Sequence, residues 1–174
     1  MDNPTFYIVD VFAEKKYAGN QLAVIRGAGT LSDEEMQSIA AEMNYSETTF
    51  IISDEERSDG YDVRIFTPKE EIPFAGHPTL GTAYVIAREI KASSVEHVTL
   101  NLRAGRIPVS LGDVCWMRQP LPTFGDTFTA GRLSRVLNLE DADLDERFSI
   151  QEVSTGLRLC TKSRGWTLGA VVRF

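Results

Sequence analysis

Cysteine is scarce in this 174-residue chain: there are two, Cys115 and Cys160, and no Cys-x-x-Cys. With only two histidines as well, the sequence offers neither a disulfide framework nor a zinc site. No apolar run approaches the ~18–20 residues of a membrane span. The start, Met1-Asp2-Asn3-Pro4, lacks the basic segment and apolar core of a secretory signal. A soluble, cytoplasmic protein is therefore expected. Basic side chains are outnumbered, 18 to 25, for a net charge of −7. That balance argues against nucleic acid, whose phosphates require Lys/Arg clusters. There is no internal repeat, phosphate loop, Gly-x-Ser-x-Gly elbow or His-Glu-x-x-His. Gly27-Ala28-Gly29 is too short for a dinucleotide loop. What remains is 43% apolar and 25% charged, the composition of a globular domain with part of a second.

The pattern alternates strands and helices. Phe6–Phe12 is β-branched and aromatic and predicts a buried strand, followed by another over Gln21–Ile25. Ser32 and Glu35 have the spacing of a capping box. Met36, Ile39, Ala40 and Met43 then give one apolar face, which predicts a helix over 32–43. Strands are predicted at Thr48–Ile52, around Val63 and Ile65, and at Val114–Arg118. Val98–Leu102 and Ile107–Leu111 read as a hairpin about Ala104-Gly105. Residues 78–90 are apolar nearly all round, and a helix without a polar face is a buried one. Gly81 and the alanines beside it would let strands approach closely. The expected picture is a sheet curved around one central helix. Pro120, Pro122 and Gly125 mark a break. A short helix around Leu133–Leu137, an acidic turn over 141–147 and a strand over 149–154 follow.

Three segments could carry chemistry. Glu47 is the only acid in Asn44-Tyr-Ser-Glu-Thr-Thr-Phe50, between a helix and a strand. Half-buried, such a carboxylate titrates nearer neutrality and can move protons; solvated, it is an ordinary acid at a helix end. Gly76-His77 precedes Pro78, which suits the first position of a helix. Free amides there attract an anion, Gly76 lets a ligand approach, and His77 can exchange a proton or hydrogen-bond. The alternative is a helix start with a capping His. Arg118 could clamp a carboxylate or be a charge at a strand end.

These segments resemble one known family. Val9-Asp-Val-Phe12, Tyr17-Ala-Gly-Asn20, Leu22-Ala-Val24, Ser46-Glu-Thr-Thr-Phe50, Arg64-Ile-Phe-Thr-Pro68 and Pro73-Phe-Ala-Gly-His-Pro-Thr-Leu-Gly81 resemble the PhzF-like family of phenazine biosynthesis, similar in fold to diaminopimelate epimerase. The resemblance covers residues 6 to about 157. It implies an α+β fold with a mixed sheet rolled around a central helix, in two pseudo-symmetric domains. It also implies cofactor-free isomerase chemistry on a small carboxylated substrate. Glu47 matches the proton-transfer carboxylate, and Ser46, Gly76 and His77 match residues lining the substrate site.

One departure is large. The family's second domain opens its own central helix with an Asp-Pro-Ala-Thr-Gly-Ser-like motif that supplies an opposing acid, and this sequence has no such motif. Beyond Leu157 come Arg158, Lys162, Arg164 and Arg173 with no acid, while the acidic excess lies before them. The reading is an N-terminal domain over 1–119, the start of a second over 120–157, and a basic tail over 158–174 that is frameshifted or otherwise aberrant. Two functions are then open. One is a PhzF-like isomerase impaired by truncation. The other is a non-catalytic domain that self-associates, as a homodimer, or binds a small acid.

Overall fold

A computed structural model describes residues 4–92, 95–144, 149–156, 158–162 and 172–173. They fall into two compact units, Met1–Pro120 with Val171–Phe174, and Leu121–Ala170.

In the first unit, β1 (Thr5–Val11) pairs antiparallel with β2 (Asn20–Arg26), from Thr5↔Arg26 to Val11↔Asn20. α1 (Asp33–Met43) follows, opened by Ser32: its hydroxyl accepts from the Glu35 amide at 3.2 Å, and Glu35 Oε2 accepts from the Ser32 amide at 2.8 Å. β3 (Thr48–Ile51) lies parallel to β2, and β4 (Tyr61–Phe66) antiparallel to β3. The short β5 (Glu71–Ile72) pairs with β4. α2 (Gly76–Val85) runs on into a π-helical turn over Ile86–Ile90. β6 (His97–Leu102) is parallel to β4, and β7 (Gly105–Ser110) and β8 (Val114–Met117) follow antiparallel.

The second unit holds β9 (Thr123–Phe128), α3 (Ala130–Leu137), β10 (Ile150–Ser154) and β11 (Arg158–Lys162), with β10 between its neighbours. β12 (Val172–Arg173) pairs with β8, so the sheet of the first unit runs β1-β2-β3-β4-β6-β7-β8-β12.

Period-two alternation explains how this sheet serves two cores. Leu22, Val24, Ile51, Val63 and Ile65 point to one cluster, shared with Leu80, Ala83, Val85 and Ile86 of the central helix segment. Ala23, Ile25, Phe50 and Phe66 point to the other, against Met36 and Ala40 of α1. α2 contacts β1, β2 and β3 on one flank and β6, β7 and β8 on the other, so the sheet rolls around it. Eight of its ten residues are buried. Gly81 is a required close approach: a Cβ there would sit 2.7 Å from Leu22 and 2.8 Å from Val11. The hydroxyls of Thr49 and Thr82 meet at 2.8 Å and satisfy each other inside the roll. Outside it, Arg64 reaches Glu71 at 2.8 Å and Asp33 at 2.6 Å, tying β4 to β5 and α1.

Several expectations are corrected. β1 is not buried: it ends the sheet, and Phe6 and Ile8 on its outer face are 57% and 53% exposed. α2 begins two residues before Pro78, which takes the third helical position; the amide it lacks has no helical partner there either. The predicted 78–90 helix is α-helical only to Val85. In α3 the buried residue is Ser134, whereas Val136 and Leu137 are exposed. Of the acidic segment, Asp141–Asp143 makes one short helical turn, and 145–148 lie outside the described residues. β5 and β9 were not anticipated. In the basic tail, residues 158–162 and 172–173 form strands, and 163–171 and 174 lie outside the described residues. No helix among the described residues is long and apolar enough to cross a membrane.

Candidate active site

The start of α2 is built differently from that of α1. Ala75, its N-cap, has no side-chain oxygen to offer, so Gly76 and His77 open the helix without a cap. Their amides lie at the positive end of the helix dipole. Thr79 turns its hydroxyl back to the Ala75 carbonyl at 2.7 Å, fixing the turn from within. Gly76 is held close: a Cβ there would come 3.1 Å from Met117 Cε of β8.

Two sequence-distant residues meet at this helix start. Glu47, immediately before β3, brings Oε2 to 3.5 Å from Nδ1 of His77. The side chains are 18% and 9% exposed. Glu47 Oε2 and His77 Nε2 are both buried without a hydrogen-bond partner among the described residues. Buried polar atoms are almost always satisfied, so this pair is an unfilled demand for hydrogen bonds.

Burial also sets their charge. It pushes the Glu47 carboxyl above the usual carboxylate range. It pushes the His77 imidazole below its ordinary value, against a smaller opposing effect from the Gln21 backbone. An ionised pair at this distance would pull both groups the other way. Desolvation outweighs that attraction and shifts each group toward its uncharged form.

Ser46 lies one residue away and is exposed. It lines an open groove of about 340 Å³ with Asp10, Tyr17, Asn20, Gln21 and Tyr45. Arg118 is exposed at the end of β8, with its amide bonded to the Pro108 carbonyl. Glu47 and His77 thus meet at the α2 start next to Gly76, whereas Ser46 faces a groove that none of these three lines.

Phe12 was missed. Its ring centroid lies 6.3 Å from that of His77. Its backbone is left-handed, with φ at 63°, which costs a bulky L-residue roughly 1–2 kcal/mol. Nothing in a β-branched, aromatic run announces such a turn.

The chain matches the model of the phenazine biosynthesis-like protein family over residues 9–160. It belongs to that family. An uncharacterized isomerase of Clostridium acetobutylicum is 41% identical over 161 residues, spanning 86% of this chain and 52% of that protein. The trans-2,3-dihydro-3-hydroxyanthranilate isomerase of Pseudomonas aeruginosa is 38% identical over 141 residues, 78% of this chain and 49% of that one. The PhzF-like chain therefore spans about half the length of these relatives. Among solved structures, a predicted epimerase of Pseudomonas aeruginosa superposes with a TM-score of 0.79 at 31% identity, covering 90% of this chain and 58% of that one. A hydroxyproline epimerase of Agrobacterium vitis, 10% identical with a TM-score of 0.55, shares the fold alone and is matched over half its length. The α+β epimerase-like fold that the motifs imply is the fold observed.

Proposed function

We propose that this PhzF-like chain carries one wall of an isomerase site that shifts a proton within a small carboxylated substrate, with Glu47 as the proton carrier. The observation that supports this most is the buried, hydrogen-bond-deficient contact between Glu47 and His77 at the uncapped start of α2. The substrate carboxylate is held at the amides of Gly76 and His77, where the helix dipole favours an anion. Glu47, entering the reaction as the carboxylate, takes a proton from one carbon and returns it to another, so the net charge of the complex is unchanged. A carboxyl whose pKa burial has raised is a stronger base than a solvated one, so it takes up and returns that proton at lower cost. The neutral His77 imidazole donates a hydrogen bond to the charge that develops on the substrate. Ser46, next to Glu47 in sequence, contributes its hydroxyl from the neighbouring groove.

The motifs imply a second acid and a facing wall from a segment not present in this sequence. Turnover by this chain alone is accordingly expected to be low. The test follows trans-2,3-dihydro-3-hydroxyanthranilate in D₂O, with this chain and with its fusion to the C-terminal half of the Pseudomonas aeruginosa isomerase. Turnover that takes up deuterium and falls about 10²–10⁴-fold in Glu47→Gln supports the reading. Turnover that survives the substitution overturns it.

One observation favours a second reading, self-association. Phe6 and Ile8 expose an apolar face on a strand at the end of the sheet. Sedimentation across a concentration series checks it; a monomer throughout removes it.

A further inference from the structure

Phe12 follows the last residue of β1, and the pleat assigns it a side. Val11 points into the roll, in the cluster around α2, with Tyr7 and Val9 packed against it. Phe6 and Ile8 point outward into solvent. An extended backbone would carry Phe12 outward with them. The left-handed turn at φ 63° does otherwise, and brings its ring to 6.3 Å from His77, tilted by 52°. The gain is not core burial, because Phe12 remains 45% exposed. Strain at a bulky residue that is not offset by burial points to a local task.

The task is set by what lies under the ring. His77 has an unpartnered buried nitrogen, and Glu47 an unpartnered buried oxygen, 3.5 Å from the other imidazole nitrogen. Nε2 has no hydrogen-bond partner among the described residues, so the Gln21 backbone and Glu47 are the polar neighbours that orient the His77 ring, and its Nε2 side is left to other contacts. An aromatic contact in the 4.5–7 Å range can hold it without occupying the polar atoms that a substrate needs.

We propose that Phe12 is a positioning residue of this site: turned out of its strand's pleat by a left-handed backbone, its ring is the wall that holds His77 beside Glu47 and keeps water off the pair. The functional half of the inference rests on the proton-transfer reading of Glu47 and His77. The structural half does not, and the experiment separates them.

The chain has two histidines, and His97 is exposed on β6, so it serves as an internal reference. Diethyl pyrocarbonate labels uncharged imidazole, and mass spectrometry gives the ratio of His77 to His97 labelling, well below each variant's Tm. In Phe12→Gly and Phe12→Leu the ratio is expected to rise several-fold, and in Phe12→Tyr to stay at the parent value. An unchanged ratio in both truncations overturns the proposal. The Gly variant also removes the strain, so its Tm is expected to hold or rise by about 2–4 °C. A clear fall in Tm would make the ring ordinary packing and overturn the strain argument. In the fused, active protein, Phe12→Gly is expected to lower kcat by on the order of 10²-fold with KM little changed, as for a group displaced by about 1 Å. If the fused parent shows no turnover, the proton-transfer reading fails while the labelling ratio still decides the role of Phe12.

Discussion

α1 and α2 are helices of similar length in one small unit, and they begin in opposite ways. α1 satisfies its own first turn: Ser32 and Glu35 close a reciprocal box, and Asp33, Glu34 and Glu35 answer the dipole. α2 has no capping side chain and no acid in its first turn. α1 shows the sheet one face and keeps a wet one, whereas α2 is apolar all round and enclosed. The lesson concerns where a protein leaves work undone. A surface helix start is finished by its own residues. The start of the enclosed helix is left open, and Glu47 Oε2 and His77 Nε2 at it are two of the four buried side-chain polar atoms without hydrogen-bond partners among the described residues.

The comparison can be broken at either end. The largest effect is expected from Glu47→Gln in an active form of the protein, a loss of about 10²–10⁴-fold in kcat with the fold retained, checked by turnover and circular dichroism. Next comes Gly81→Ala. Its Cβ would collide with Leu22 and Val11, and the overpacking is expected to cost about 1–3 kcal/mol in urea denaturation. Ser32→Ala opens the α1 box and is expected to cost about 1 kcal/mol, with no change in His77 labelling. If Ser32→Ala disturbs His77 as much as Gly81→Ala does, the two helix starts are not independent.

The smallest effect is in pH. The folded-state pKa of Glu47 is raised by burial, so its contribution to stability is fully present below the ordinary carboxylate value. That contribution is lost as pH rises through the raised one. His77 is lowered, so its contribution is present above the ordinary imidazole value and lost as pH falls through the lowered one. Glu47→Gln is therefore expected to match the parent in stability below the ordinary carboxylate range and to exceed it once pH has risen through the raised value. A gap that shrinks as pH rises would contradict the burial of Glu47.

The same two helices mark how far the sequence could be read. α1 was legible entire, because a capping box and an apolar stripe are local signals. The hairpin β6–β7 was legible for the same reason: alternation on either side of Ala104-Gly105 is a short-range pattern. α2 was legible as a buried helix but not in its first residue, since Pro78 fits the third helical position as well as the first. β1 was assigned to the interior because an exposed apolar face on an end strand looks like a core strand in composition. β9, mostly exposed, carries too little alternation to announce itself. The parallel pairings β2–β3 and β4–β6 join segments far apart in the chain, and no local pattern encodes them. Glu47 was visible as a lone acid at an element end, but its burial depends on what folds over it. The turn at Phe12 was not visible at all.

The enclosure of α2 also bears on how the chain opens and closes. Its neighbours come from before it in sequence, β1 to β3, and from after it, β6 to β8. No stretch of chain can complete that surround until nearly the whole first unit has been assembled. The helix is thus a late, all-or-none acquisition, and its hydrogen-bonded amides beyond the uncapped first turn should exchange with solvent only through global unfolding. α1 covers one face of β2, β3 and β4 and keeps its other face in solvent, so it can peel away first. The segment that carries His77 would then be the last part of the unit to feel a denaturant, although His77 Nε2 has no hydrogen-bond partner among the described residues.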